Sequence, residues 1–275
     1  LMPAPPQLGA KSWLLIEASS GQVLVEQNAD EQLPPASLTK MMTSYLAADK
    51  IKEGLVKWDD EALVSEKAWR MGGSKMYSRV GTKVKIQDLM RGIIIQSGND
   101  ASIAVAEHIA GSEEAYADMM NQTAKRLGMT HSHYKNATGW PDPEHYTTAR
   151  DLATLARHVV YDHPEDYELY SEKEFFYNGI KQPNRNLLLW RDNSVDGIKT
   201  GHTEEAGYCL VASAKKDGMR LIAVVMGTKN EEARAGETLK LLTYGFRFYE
   251  SVRSYGANEV LAEPEKDIFI LVRFK

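Results

Sequence analysis

Segments with strand character lie at opposite ends of the chain and enclose a long helical stretch. Residues 12–17 and 22–26 are apolar runs around a Ser-Ser-Gly turn, and residues 207–214 and 221–227 form a second pair around a Lys-Asp-Gly turn. Both patterns are typical of antiparallel hairpins. Because helices separate the hairpins, their strands form one sheet only if the two ends of the chain come together. We therefore predict an α+β fold: an antiparallel sheet with helices on both faces, plus a helical subdomain.

The helices are predicted from apolar residues that recur three and four positions apart. They begin at Ser37 and then cover residues 86–95, 101–110, 113–127, 148–160 and about 231–250. Two stretches outside them, residues 136–145 and 162–186, are loop-like and rich in proline, glycine, asparagine and charge. Loops of such length are uncommon as plain connectors, so we expect both to form walls of a functional site.

The length of 275 residues fits one large domain followed by part of another. We assign residues 1–252 to the large domain, which would be catalytic, and residues 253–275 to a linker and the partial start of a small all-β domain. The linker is predicted at 254–258 and a single strand at 268–274. No apolar run approaches the ~20 residues needed to cross a bilayer.

The composition excludes several classes of function. With 43% hydrophobic residues, 26% charged residues and a net charge of -5, the chain has no basic footprint for a nucleic-acid partner. Cys209 is the single cysteine, which leaves no intrachain disulfide and no cysteine-based metal cluster, and its apolar neighbours place it in the core. His131 and His133 lack a carboxylate in register, so we expect no metal and no cofactor.

Three short motifs, far apart in sequence, fit together as one catalytic site. They are Ser37-Leu38-Thr39-Lys40, Ser97-Gly98-Asn99 and Lys199-Thr200-Gly201. Each motif alone has a simple structural reading: Ser37 as a helix N-cap, Asn99 as a cap, and Lys199-Thr200-Gly201 as a turn. Their occurrence together, in this order, favours a serine enzyme that forms a covalent acyl intermediate.

The spacing of the first motif matches what a serine nucleophile requires. Residues three apart share a helix face, so the Lys40 amine can reach the Ser37 hydroxyl. To act as a base, Lys40 must be neutral part of the time, which requires burial or a nearby cation, and Lys199 is a candidate for that cation. Ser37 at a helix start also offers a backbone N–H as one oxyanion donor.

The other two motifs offer groups that suit a peptide substrate. A hydroxyl and an amide two residues apart, as in Ser97-Gly98-Asn99, can relay a proton and anchor a substrate amide, with the glycine permitting a tight turn. Lys199-Thr200-Gly201 offers a cation, a hydroxyl and a position without a side chain. These features suit a peptide lying along a sheet edge and a bound terminal carboxylate.

The extended motifs resemble those of the D-alanyl-D-alanine carboxypeptidases, which are low-molecular-mass penicillin-binding proteins with a β-lactamase/transpeptidase-like fold. The resemblance is carried by residues 35–43, 96–101 and 196–203 and covers about residues 10–252. It implies removal of terminal D-alanine from peptidoglycan pentapeptide stems and acylation by β-lactam antibiotics. It also implies a periplasmic or cell-surface enzyme without its signal peptide, which contacts the membrane surface only through a C-terminal amphipathic anchor that this chain lacks.

The same resemblance implies a division of roles among the site residues. Three would be catalytic, Ser37, Lys40 and Ser97, and six would bind substrate, Asn99, Lys199, Thr200, Gly201, His202 and Arg234. Ser37 would be the acylated nucleophile, Lys40 its base and Ser97 the proton relay, and the backbone N–H of His202 would be the second oxyanion donor. Arg234 would hold the departing carboxylate with Thr200, or would form a surface ion pair with Glu231 or Glu237 instead.

Three alternative functions stay open. A class A-like β-lactamase shares the serine and both lysines, but the middle motif reads S-G-N rather than S-D-N, and no E-x-x-L-N string lies between Asn99 and Lys199. A DD-endopeptidase acting on crosslinked peptidoglycan uses the same residues. A non-catalytic module that binds cell-wall peptides would form no covalent adduct.

Overall fold

The computed structural model describes residues 3–255 and 268–275. Its strands are β1 Ser12–Glu17, β2 Val23–Gln27, β3 Glu61–Leu63, β4 Lys83–Lys85, β5 Glu174–Tyr177, β6 Ile180–Pro183, β7 Val195–Thr203, β8 Gly207–Lys216, β9 Met219–Thr228, β10 Tyr249–Tyr255 and β11 Ile268–Phe274. Its helices are α1 Thr39–Lys52, α2 Glu66–Arg70, α3 Ile86–Ile94, α4 Asn99–Ala110, α5 Glu113–Arg126, α6 Ala149–Tyr161, α7 Pro164–Tyr167, α8 Leu188–Arg191 and α9 Glu231–Phe248.

The main sheet joins the two ends of the chain. Its five strands are antiparallel and follow the order β2-β1-β9-β8-β7. β1 pairs with β9, so that Leu15 lies opposite Ala223. The N-terminal hairpin is thereby attached to the C-terminal one, and the predicted α+β architecture is confirmed.

Alternate residues of the central strands enter two different hydrophobic clusters. Leu14 and Ile16 of β1 pack in the cluster that includes α1, α3, α4, α5 and α6, whereas Trp13 and Leu15 pack with α8, α9 and the β10–β11 pair. Because neighbouring side chains of a strand point to opposite faces, this division means that helices cover both faces of the sheet. It also explains why every residue of β1 is buried.

The structure differs from the predictions in three regions. Residues 162–186, predicted as a loop, contain α7, β5 and β6, whereas residues 136–145 do form a loop. β7 was not predicted, because its glycines and polar residues break the apolar alternation by which a strand is recognised. Helix α9 ends at Phe248 rather than Glu250, since the chain continues directly as β10.

The C-terminal part forms an antiparallel pair of strands. β10 pairs with β11 along its length, and β11 covers the predicted strand at 268–274. The predicted linker at 254–258 is wrong at its start, because Ser254 and Tyr255 belong to β10, and its other residues lie outside the described part of the chain. Among the helices of the described ranges, none has the length and apolar character that crossing a bilayer requires.

Candidate active site

Ser37 lies in a 3₁₀ turn just before the first long helix. The turn covers Ala36–Leu38, and α1 begins at Thr39, two residues later than predicted. No side chain caps the start of α1, so the reading of Ser37 as a helix N-cap is wrong. The residue instead lines an open cleft beside the main sheet.

The Lys40 side chain is fully buried and meets the Ser37 hydroxyl. Lys40 Nζ donates to Ser37 Oγ at 2.8 Å and to the Thr138 carbonyl oxygen at 2.9 Å. The 3₁₀ turn runs into α1 without a break, which places the two side chains on the same face of the helical backbone. The structure therefore contains the Ser–Lys pair that the first motif predicts.

Burial lowers the pKa of Lys40 from 10.5 to about 7. The positive charge of Arg185 acts in the same direction, and the Asp100 carboxylate acts against it. Burial, together with the charge of Lys40, lowers the pKa of Lys199 well below its ordinary value. Because a charge–charge interaction is mutual, Lys199, the cation expected from the sequence, also favours the neutral form of Lys40. Arg185 is a further cation that acts on the base.

The second and third motifs meet through a hydrogen bond. Lys199 Nζ donates to Ser97 Oγ at 3.0 Å and to the Thr200 carbonyl oxygen at 2.9 Å. The Ser97 and Lys199 side chains are both buried. Ser37 and Ser97 line the same cleft, so the two serine–lysine pairs lie close together, and the three motifs form one site.

The unusual backbone of the second motif is at its serine rather than at its glycine. Ser97 has φ of 62°, in the left-handed region that few residues other than glycine adopt, whereas Gly98 has an ordinary φ of -67°. A β-carbon at Gly98 would lie 3.2 Å from Met76 N and 3.3 Å from Gly92 O. The expected tight turn at Gly98 is therefore wrong, and the glycine is required by close packing.

Asn99 opens α4, and its side chain is tied to the neighbouring loop. Asn99 Nδ2 donates to the Gly72 carbonyl oxygen at 2.8 Å. The Asp100 carboxylate accepts three hydrogen bonds from residues 76–78 at 2.7–3.0 Å. The start of α4 thus fixes the loop above it. The Asn99 side chain is therefore engaged with this loop, and Asn99 is not among the residues that line the cleft described below.

The third motif lies within β7, the last strand in the sheet order, so its reading as a turn is wrong. A β-carbon at Gly201 would lie 3.2 Å from Ser37 N. The absence of a side chain therefore lets the sheet edge approach the Ser37 turn. Thr200 is buried beside it, and the exposed His202 ring stacks on Tyr208 with centroids 3.9 Å apart.

The motifs line a cleft of about 490 Å³. Its walls include Ser37, Gln96, Ser97, Asn184, Arg185, Thr200, Gly201, His202, Tyr208, Glu231 and Arg234. Arg234 is 6% exposed, and its Nη1 donates to the Gly201 carbonyl oxygen at 3.4 Å. Its guanidinium lies 5.5 Å from the centre of the Tyr208 ring. Arg234 is buried in the cleft wall, whereas the alternative reading requires a surface residue that forms an ion pair with Glu231 or Glu237. Glu237 instead accepts a hydrogen bond from the Ala10 N–H.

Sequence reasoning missed three contributors to the site. The Thr138 carbonyl contacts Lys40, but a backbone atom leaves no signal in the sequence. Gly139, with φ of 92°, lies against the Ala36 carbonyl. The sequence did place Gly139 in the loop 136–145, which was predicted to form a wall of the site, but did not single it out. Arg185 lies at the cleft mouth with its Nε donating to Gln96 O at 3.1 Å, within the other predicted wall.

Metal-ligand geometry is not found at the cleft or elsewhere in residues 3–255 and 268–275, where no three His, Cys, Asp or Glu side chains converge. His133 instead bonds the Glu144 carbonyl through Nδ1 at 2.5 Å.

An antiparallel sheet covered by helices on both faces, with a buried serine–lysine pair beside its edge strand, defines a β-lactamase- and transpeptidase-like serine enzyme. The chain belongs to the D-alanyl-D-alanine carboxypeptidase family, peptidase family S11, whose sequence model matches residues 1–230.

Two sequence relatives support this assignment. The chain is 48% identical to D-alanyl-D-alanine carboxypeptidase DacC of Escherichia coli over 90% of its own length and 64% of DacC, and 47% identical to DacA over 96% and 68%. It thus spans about two thirds of these relatives. Among solved structures, DacD of Francisella tularensis matches with a TM-score of 0.94 at 36% identity, over 100% of this chain and 83% of that one.

A second solved structure carries a ligand. Penicillin-binding protein D2 of Listeria monocytogenes in its ampicillin-bound form matches with a TM-score of 0.81 at 30% identity, over 89% of this chain and 100% of that one.

Proposed function

We propose that this protein is a serine DD-carboxypeptidase that removes the terminal D-alanine from peptidoglycan pentapeptide stems through an acyl-enzyme on Ser37. The observation that carries the proposal is the 2.8 Å contact between Ser37 Oγ and a Lys40 amine with a pKa of about 7. Such an amine is partly neutral near pH 7 and is able to take the serine proton. The names of DacC and DacA support the substrate class.

Acylation begins when the Lys40 amine takes the proton of Ser37 Oγ and the oxygen attacks the carbonyl carbon of the penultimate D-alanine. The negative charge on the carbonyl oxygen is held by the backbone N–H groups of Ser37 and His202. Collapse of this intermediate breaks the peptide bond, and the proton that Lys40 took from Ser37 passes through Ser97 to the nitrogen of the leaving D-alanine. Water then attacks the ester carbonyl carbon and gives a proton to Lys40, and this proton returns to Ser37 Oγ as the ester bond breaks.

The remaining cleft residues bind the substrate. The peptide lies along the edge strand β7, where Gly201 leaves room for a second backbone. The terminal carboxylate is bound by Thr200 and by Arg234, which is buried beside that edge. Lys199 hydrogen-bonds to Ser97, and when Lys40 is neutral the repulsion from that amine is absent, so Lys199 can carry the positive charge of the site. Asn99 accepts a substrate N–H through its side-chain oxygen.

The carboxylates near the cleft favour a peptidase over a β-lactamase. Within the part of the chain that the structure describes, the one carboxylate that lines the cleft is Glu231, which belongs to the same turn of α9 as Arg234. A β-lactamase of class A deacylates through a glutamate that activates water. With its carboxylate on the arginine side, this cleft is expected to be acylated by β-lactams and to release them slowly.

The same proposal includes the setting of the enzyme. Peptidoglycan stems and β-lactams reach it in the periplasm or at the cell surface, where this family acts. We also propose that β10 and β11 begin a second, small β domain, which follows the catalytic domain and packs against it through Tyr249 and Val272.

Two measurements test the function. Mass spectrometry after mixing with benzylpenicillin is expected to find one added penicillin mass on the peptide that contains Ser37, and none in Ser37→Ala. Free D-alanine should be released from a pentapeptide faster than a crosslinked dimer is cleaved. Unmodified protein would indicate a non-catalytic binding module. Rapid penicillin hydrolysis without D-alanine release would indicate a β-lactamase, and preferred cleavage of dimers would indicate an endopeptidase.

A further inference from the structure

The loop of residues 135–145 lies over the first motif and holds the base of the site. From this loop the Thr138 carbonyl accepts a hydrogen bond from Lys40 Nζ at 2.9 Å. Gly139 follows, and a β-carbon there would lie 3.1 Å from Ser37 N. Residues 135–145 contain no helix or strand, so the position of the Thr138 carbonyl depends on whatever ties the loop in place.

His145 makes that tie with both of its ring nitrogens. Lys135 N donates to His145 Nδ1 at 2.9 Å, and His145 Nε2 lies 2.7 Å from Thr39 Oγ1. A backbone N–H can only donate, so Nδ1 is the unprotonated nitrogen and Nε2 carries the proton that it donates to Thr39. Burial lowers the pKa of His145 to about 4, with Asp142 acting against the shift, so the ring stays neutral at physiological pH.

The ring therefore connects three points that surround the Ser–Lys pair. Lys135 is the first residue of the loop, His145 is its last, and Thr39 is the first residue of α1. Thr39 lies between Ser37 and Lys40 in the motif. The ring is 3% exposed, and a hydrogen bond in such a buried place is costly to leave unmade. His145 thus closes the loop on itself and attaches it to the motif.

The contact with Thr138 decides how the Lys40 amine is oriented. A neutral amine has two N–H groups and one lone pair. When one N–H is directed to the Thr138 carbonyl, the lone pair is available for the proton of Ser37 Oγ at 2.8 Å. A displaced loop would free the amine to rotate and would admit water to a side chain that is now fully buried.

We propose that His145 is a positioning residue for acylation, which joins Thr39 to Lys135 and thereby fixes the Thr138 carbonyl against the Lys40 amine. This role rests on the proposed function, because it presupposes that Lys40 activates Ser37. It acts through other groups: His145 itself does not line the cleft.

The test compares His145→Leu with His145→Gln. Leucine removes both hydrogen bonds, and we expect the rate constant of acylation by benzylpenicillin to fall by about ten- to a hundred-fold, as for a slightly misplaced base. Because water would reach Lys40, the rise of that rate constant with pH should shift to higher pH. Glutamine keeps an oxygen acceptor and an N–H donor, so its rate constant and pH profile should lie close to those of the wild type.

A matched control is His163→Leu. His163 is also buried, and its Nε2 bonds Asp49 Oδ1 at 2.6 Å near the far end of α1. Its loss should lower the melting temperature while the pH profile of acylation stays unchanged. The same result in His145→Leu, lower stability with an unchanged rate constant and pH profile, would overturn the proposal.

Thr39→Val removes the same hydrogen bond from the other partner and keeps the test decisive if His145→Leu fails to fold. It should reduce the rate constant and shift the pH profile as His145→Leu does, and an unchanged profile would overturn the proposal. Failure of the wild type to be acylated would instead overturn the proposed function, so the two failures are distinguishable.

Discussion

The amine of Lys40 combines two properties that matter for its role as a base. It is buried, and it keeps two hydrogen-bond partners, Ser37 Oγ and the Thr138 carbonyl. Burial makes the neutral form accessible near pH 7, and the partners fix the direction of its lone pair. The reactivity of Ser37 is therefore a property of how Lys40 is packed and not of the serine alone.

Acylation is predicted to depend on pH with the titration of Lys40. The neutral amine is the active form, so the rate constant of acylation should be low below the pKa of about 7, rise through it and level off above it. In Lys40→Ala, the rate constant of acylation at the high-pH plateau should be lower by roughly 10²–10⁴-fold. Lys40→Arg is the matched control, because a guanidinium keeps the charge but does not deprotonate. Full activity of Lys40→Arg would exclude Lys40 as the base.

Arg234 is predicted to distinguish a peptide from a penicillin. The two ligands place their carboxylates differently, so Arg234→Ala should reduce turnover of a D-Ala-D-Ala peptide by roughly ten- to a hundred-fold, the value of one charge-assisted hydrogen bond, and reduce penicillin acylation less. Arg191→Ala, which removes an exposed ion pair with Glu232, is the control and should affect neither. An equal loss for both ligands would mean that Arg234 is structural.

The residues that the sequence identified most directly are those whose side chains the proposed mechanism uses. Ser37, Lys40, Ser97 and Lys199 stand in recognisable motifs, and the structure brings them together. The Thr138 carbonyl was not predictable, since a backbone oxygen can belong to any residue type. For Arg185, the sequence indicated the right loop but gave no reason to choose this side chain.

At the scale of elements, the helices and strands that could be predicted are those in which apolar residues recur at a regular spacing. Helices α3, α5 and α6 and the hairpin of β8 and β9 lie within a few residues of their predicted positions. β7 was missed because its identity depends on pairing with β8 rather than on its own residues. That strand carries the third motif, so the element that would hold the substrate in the proposed function has a weak local signal in the sequence.

Two glycines lie in opposite surroundings: Gly139 is in close contact with the turn that carries Ser37, and Gly236 has open space around it. Gly139 has φ of 92°, and a β-carbon there would overlap the Ala36 carbonyl oxygen. Gly139→Ala should therefore lower the melting temperature and reduce acylation by at least about ten-fold, since it displaces the Ser37 turn. Gly236, in α9, has open space around its α-carbon. Gly236→Ala should leave acylation unchanged and stabilise the fold by up to about 1 kcal/mol. Normal acylation by Gly139→Ala would show that the loop adapts.

At the scale of the whole molecule, the cleft lies between the elements that form the two hydrophobic clusters. One wall comes from the turn before α1 and from Gln96 and Ser97 before α4, on the side of the larger cluster, and the other comes from α9 on the opposite face of the sheet. β7 lies between them as the edge of the sheet. An acyl group on Ser37 would therefore contact elements on both sides of β7, and these contacts would be lost if β7 separated from β8.

Cys209 provides a measure of that opening. The thiol is buried in β8, opposite Gly201 of β7, and burial raises its pKa to about 11. β8 lies between β9 and β7, so a thiol reagent should reach Cys209 only when the sheet unfolds. Acylation by penicillin adds contacts that only the folded state has, so it should slow labelling about ten-fold or more. In Ser37→Ala, penicillin should leave the labelling rate unchanged. Fast labelling of the folded protein, or equal rates with and without penicillin in the wild type, would show that the sheet opens locally and independently of the cleft.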